Sequence, residues 1–246
     1  MIQSIDRAMS IIHILRSDPH RNEWSISELS KRTELPISTM HRLLNSLIDH
    51  GLVIQNPNTK HYKIGLLWME VGLQVLESID YRNVARPIME DLALDVKESI
   101  YLNIQDGNFG MTIEIVDSPL KVRIAETLGI RSPLNVGAPN KAILSFLKEE
   151  ERADIIKKLG LTDEETIQLK ETIEEVRRNR YAMSNSERTE GTISIAAPIF
   201  GYGNKVLAAV SINGPDFRIT EESLPQLVEK VKVAAEQISN RIGRFY

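Results

Sequence analysis

The stretch from Ser25 to Gly51 constrains the fold more than any other part of this chain. Ser25-Ile26-Ser27-Glu28 has the form of a capping box, in which the serine oxygen accepts a free amide at a helix start and the glutamate reaches back. It predicts a short helix through Arg32. Thr33-Glu34-Leu35-Pro36 then reads as a turn, with Pro36 ending that helix, and Ile37 to His50 runs helically up to Gly51, which is free to take the left-handed closing conformation. Upstream, Ile5, Ala8, Met9, Ile12 and Leu15 recur at three- and four-residue steps and predict an amphipathic helix over 4–17, ending before Asp18-Pro19. Downstream, Leu52-Val53-Ile54 and Tyr62-Lys63-Ile64 flank the turn-rich Asn56-Pro57-Asn58-Thr59-Lys60, the pattern of a β-hairpin. Three helices followed by a hairpin describe a winged helix-turn-helix.

That unit occupies only residues 1–65 of a 246-residue chain, so a second, larger domain is expected. Leu67, Val71, Val75 and Ile79 recur at helical spacing and predict a linker helix within 66–83. Residues 84–246 alternate helix and strand. Helices are expected over Val84–Val96, Ala138–Leu147, Glu149–Leu159, Asp163–Asn179 and Thr220–Arg241. Strands are expected at Ile100–Ile104, Met111–Val116, Val122–Thr127, Thr192–Phe200 and Val206–Asn213. The predicted class is α+β, an antiparallel sheet flanked by helices behind an N-terminal winged helix.

Charge separates the two parts. Residues 1–65 hold 8 Lys/Arg against 6 Asp/Glu, and the remainder 22 against 28, so the net charge of −4 conceals a basic first segment. Only that segment suits a polyanion. All five histidines (His13, His20, His41, His50, His61) lie in it, which leaves the larger part without an imidazole for catalysis or metal binding. The chain has no cysteine, excluding disulfides, thiolate zinc sites and cysteine nucleophiles. No apolar run approaches the ~18 residues of a membrane span, and no leader pattern opens the chain, so a cytoplasmic protein is expected.

The third helix carries the candidate DNA contacts. Met40, Leu43, Leu44 and Leu47 share an apolar face, while Ser38, Thr39, His41, Arg42 and Asn45 face outward, short polar and basic groups where a recognition helix presents them to base edges and phosphates. Lys31 and Arg32 end the second helix nearby, and Lys60, His61 and Lys63 crown the hairpin as candidate backbone contacts. A net +2 offers one copy few phosphate contacts, which implies an oligomer on double-stranded DNA. The competing reading is a winged helix used only for protein contacts, with these charges as a solvated face.

Longer motifs then become specific. Pro36 to Leu44 (PISTMHRLL) resembles the "LP-x-STVHRLL" recognition helix of IclR-family transcription regulators, and Tyr62-Lys63-Ile64-Gly65 the family's "YRLG" at the end of the wing. The similarity continues through Ala85-Arg86-Pro87, Ser132-Pro133-Leu134 and Arg180-Tyr181-Ala182 and closes with Gly191–Pro198 and Ala208–Pro215. The resemblance implies a GAF-like effector-binding domain holding a small, commonly carboxylate-bearing metabolite, assembly as a homodimer or homotetramer, and repression as the commoner outcome. Its implied effector residues are Leu134, Gly137, Ala138 and Asn140 at a helix start, and Ser184, Ser194, Ser211 and Asn213 from strands. The family's "LHATALGKA" is replaced here by Leu134–Ala142 (LNVGAPNKA), in which Pro139 has no amide to give an anion. Ser184 stands where an aspartate is common, Ser194 where a cysteine is frequent. Glu187, with Arg188 and Glu190, reads as a surface charge cluster.

Neither a cofactor nor a metal is implied, and no catalytic residue is assigned. Gly201-Tyr202-Gly203 joins two strands instead of opening a helix, and Lys205 lacks the P-loop context. Asp106 and Glu114 make no persuasive acid pair. Two rivals remain: a small-molecule enzyme, and a DNA-binding oligomer whose larger domain only oligomerizes.

Overall fold

Helix starts, helix stops and one buried row of apolar residues build the first part of the chain. In the computed structural model, which describes residues 2–18 and 20–243, α1 spans Gln3–Leu15, α2 Ile26–Thr33 and α3 Ile37–Asp49, followed by β1 (Val53–Gln55) and β2 (Tyr62–Ile64). Pro19, half of the expected stop after α1, lies outside the described residues. The Ser25 capping box is complete, with Glu28 N–H donating to Ser25 Oγ and Ser25 N–H to Glu28 Oε2. The stop of α2 is not Pro36, however. Glu34 adopts the left-handed conformation (φ 57°) and caps the helix, and Pro36 instead stands at the start of α3. After α3, Gly51 (φ 70°) closes the helix as expected, with Gly51 N–H bonded to Ile48 O and Leu52 N–H to Leu47 O. The core of this unit joins Ile11, Ile12, Leu15, Trp24, Leu29, Met40, Leu44, Leu47, Val53 and Tyr62. Trp24 extends the hairpin by exchanging both backbone hydrogen bonds with Tyr62.

The chain divides between Ser78 and Ile79 into two compact units. The expected linker helix divides near the same point, into α4 (Leu67–Glu77) and α5 (Asp80–Val96), with Ile79 between them off helical geometry. No residue of α4 is buried.

The second unit is built on a six-stranded antiparallel sheet. Its strands are β3 (Ser99–Asp106), β4 (Phe109–Val116), β5 (Arg131–Pro133), β6 (Ala182–Asn185), β7 (Thr192–Phe200) and β8 (Val206–Pro215), in the order β5-β4-β3-β8-β7-β6. Helices α6 (Ala138–Phe146), α7 (Glu149–Lys158), α8 (Asp163–Asn179) and α9 (Leu224–Ile242) complete it. Residues 195–199 of β7 are buried one after another, so helices cover this strand on both faces. Helix α6 lies on β7 and β8 with α8 behind it, while α9 lies on β7 beside α5.

Two sequence expectations are corrected. Residues 122–127 form no strand; the place beside β4 is taken by β5, and the carbonyls of Val122 and Ile124 accept from side chains (Arg218, Ser99 and Tyr101) in place of a ladder. The last helix begins at Leu224 instead of Thr220, because Thr220 and Ser223 bond to each other in a preceding turn.

Candidate nucleic-acid interface and effector cavity

On α3 the outward set is displayed as its spacing requires. Ser38, His41, Arg42 and Asn45 are exposed and Thr39 half-buried, whereas Met40 and Leu44 are fully buried on the opposite side. At the end of α2, Lys31 and Arg32 are exposed, with the Arg32 guanidinium 4.4 Å from the centre of the Trp24 ring. In the hairpin, Lys60 and Lys63 are exposed and His61 half-buried. The sequence reading missed Glu23 here. Its carboxylate accepts from Asn56 Nδ2 (2.9 Å) and Thr59 Oγ1 (3.0 Å), while Asn56 Oδ1 accepts the amides of Asn58 and Thr59. The Asn56 hydrogen bond, helped by Thr59 and the charges of Lys63 and His61, holds Glu23 below the ordinary carboxylate pKa. The wing is thus fixed by an acid that tempers its own basic tip.

In the second unit, strand register assembles a polar row that the sequence shows only in pieces. Ser184 on β6 is paired with Ser194 on β7, Ser194 with Asn213 on β8, and Asn213 with Ser99 on β3. Residues directly opposite in an antiparallel ladder share a face, so the four stand side by side across the sheet. Alternation along β3 adds Tyr101 and Asn103 to the same face. Above this row begins α6, whose Ala138 N–H donates to Ser184 Oγ at 3.1 Å.

A small cavity of about 50 Å³ lies here. Of the expected residues, Gly137, Ser184, Ser194 and Asn213 line it, and Ala138 reaches it through Ser184. Leu134, Asn140 and Ser211 do not line it. Leu134 is buried in the apolar core with Ala142, Ile143 and Leu144. Asn140 spends its Nδ2 on Ser132 Oγ, Pro133 O and Val136 O, locking the turn into α6. Ser211 Oγ accepts from Asn213 Nδ2 at 2.9 Å. Lining residues the sequence reading missed include Tyr101, Asn103, Glu126, Glu187 and Arg188. Burial raises the Tyr101 phenol, whose hydroxyl donates to Ile124 O. Two of the lining residues have a buried side-chain atom without a protein partner, Asn103 Oδ1 and Ser194 Oγ.

Several other charged groups form structural pairs. Glu114 lies between Arg82 (2.7 Å) and Arg86 (2.9 Å), Glu98 is held by Arg218 at 2.6 Å, and Asp106 by Arg131 at 2.7 Å. Among the described residues no cluster of His, Asp and Glu is placed to hold a metal, and no helix is long and apolar enough to cross a membrane.

A helix-turn-helix unit with its wing, joined in one chain to a sheet domain with an internal polar cavity, defines a two-domain transcriptional regulator. This protein belongs to the IclR family. The IclR helix-turn-helix domain matches residues 4–57 and the bacterial transcriptional regulator IclR C-terminal domain residues 73–240. The HTH-type transcriptional regulator KipR of Bacillus subtilis is 36% identical over 98% of this chain and 97% of its own. The HTH-type transcriptional repressor AllR of Escherichia coli is 32% identical, over 98% and 90%. The IclR structure of Thermotoga maritima superimposes with a TM-score of 0.77 at 26% identity, covering 99% of this chain and 100% of that one. An IclR homolog of Microbacterium hydrocarbonoxydans complexed with 4-hydroxybenzoate shares the fold, with a TM-score of 0.80 at 21% identity over 99% and 100% of the two chains. These relatives are regulators, and this chain is not an enzyme.

Proposed function

We propose that this protein is a cytoplasmic, effector-responsive repressor. Ser38, Thr39, His41, Arg42 and Asn45 meet operator bases and phosphates in the major groove, and Lys31, Arg32, Lys60, His61 and Lys63 meet the flanking backbone. The effector is a small carboxylic acid held between the start of α6 and the polar row of Ser184, Ser194 and Asn213. Two copies join through α4 and the residue before it, where Leu66, Met69 and Leu73, each more than half exposed, share one apolar face at helical spacing that a partner copy would remove from water. The segment of residues 66–83 carries the signal between domains.

The observation that carries the reading is a pair of buried polar atoms without a protein partner, Asn103 Oδ1 and the Ser194 hydroxyl, on residues that line one cavity. A domain serving only oligomerization has no use for buried polar atoms that cost free energy when left unpaired, whereas a ligand with a hydrogen-bond donor besides its carboxylate satisfies both. The test has two arms. A thermal-shift panel of small carboxylic, sugar and aromatic acids should yield a stabilising compound, since a ligand of the folded state raises the melting temperature. Duplexes selected from a random pool by the full-length protein should lose affinity on Arg42→Ala by about 1–3 kcal/mol if Arg42 reads a base. No hit in the panel would favour the purely oligomerizing domain, and a duplex affinity indifferent to α3 would reject the DNA reading.

A further inference from the structure

The anion seat at the start of α6 is filled by the protein's own carboxylate. Glu187 Oε2 accepts the Gly137 N–H at 2.9 Å, and its other oxygen pairs with Lys141 Nζ, one turn further along the same helix. The next residue, Arg188, holds Glu126 through two hydrogen bonds of 3.0 and 2.7 Å, and its Cδ lies 3.4 Å from where a Cβ on Gly137 would stand. Glu187 and Arg188 thus pin the segment between β6 and β7 over the cavity. Both ends of that segment have left-handed backbone, Ser186 at φ 55° and Gly191 at φ 72°. The space left beneath is about 50 Å³, well below the ~300 Å³ at which small-molecule pockets begin. Asn103, only 2% exposed, lines it and has an Oδ1 with no protein partner.

We infer that Glu187 is a tethered competitor, an internal carboxylate that stands in for the effector's and must leave the Gly137 amide before a carboxylate ligand enters. This rests on the effector reading above. A group tethered by a few residues competes at an effective concentration on the order of millimolar, so it sets how much metabolite is needed for a response. Its displacement releases Glu187 and its neighbour Arg188 from the cavity, converting occupancy into movement of the segment between β6 and β7. The same displacement opens room for a ligand body that reaches Asn103 and Ser194.

The experiment titrates acetate, small enough for the seat alone, into full-length protein while following the Gly137 amide by NMR, with wild type, Glu187→Ala and Glu187→Gln compared. Valine-carbonyl with glycine-nitrogen labelling selects the Val136–Gly137 bond and, as the only other such pair, Val71–Gly72. The expected result is acetate binding at least ~10-fold tighter in Glu187→Ala than in wild type, with Glu187→Gln between them because it keeps an acceptor for Gly137 and loses the charge. Equal or weaker binding in Glu187→Ala would overturn the competitor and leave the effector reading standing. A Gly137 amide indifferent to acetate in all three proteins would overturn both.

Discussion

Glu28 shows how much one side chain settles in this fold. It completes the capping box of α2 and takes both carboxylate hydrogen bonds from the Arg21 guanidinium at 2.7 Å. Arg21 first, then the Ser25 amide and hydroxyl, hold its pKa at about 2, against an ordinary 4.5. A carboxyl depressed in the folded state contributes stability above its unfolded pKa and loses it as pH falls. The winged helix should therefore weaken between pH 4.5 and about 2, and Glu28→Gln should flatten that slope. Both tryptophans, Trp24 and Trp68, belong to the first unit, so their fluorescence reports its unfolding; an unchanged acid limb in Glu28→Gln would contradict the assignment. Ser25→Ala, which removes the cap, should cost about 0.5–2 kcal/mol in the same assay. Glycine is required at Gly137, whose φ of 87° is hostile to a side chain. Residue-level reading was uneven: the capping box was legible because its partners are three apart, whereas Glu187 passed for surface charge because Gly137 lies fifty positions away.

At the scale of elements, helices were legible where a cap or a glycine marks them, as in α2, α3 and α8. The short edge strands β5 and β6, of 3 and 4 residues, carry too little alternation to be read. The polar face of β3 was missed for another reason. Ser99, Tyr101 and Asn103 alternate with Ile100, Leu102 and Ile104, a period of two, but residues 99–103 are buried on both faces, so the alternation alone does not tell that its polar side meets a cavity. Register then did what sequence did not, setting Ser99 opposite Asn213. For α3, the fully buried Leu44 should make Leu44→Ala destabilise the first unit by about 2–5 kcal/mol, measured by denaturant titration of the tryptophan signal. For α4, Leu73→Glu places a charge in the proposed interface. It should lower the mass seen by light scattering to that of one chain, and an unchanged oligomer would place the interface elsewhere.

At the scale of the whole molecule, the division of charge and the division of polar groups describe the same labour. The basic winged helix of residues 1–65 meets DNA, and the second unit gathers a buried polar row around a cavity. Linkage requires that a ligand altering operator affinity be itself bound more or less tightly on DNA, by the same factor. The central claim is that the two activities are coupled in one chain, and operator affinity at fixed salt, with and without a saturating hit from the acid panel, tests it most directly. The account predicts a change of about 5- to 150-fold, the usual range of coupling between sites. Identical affinity with and without bound ligand would contradict it.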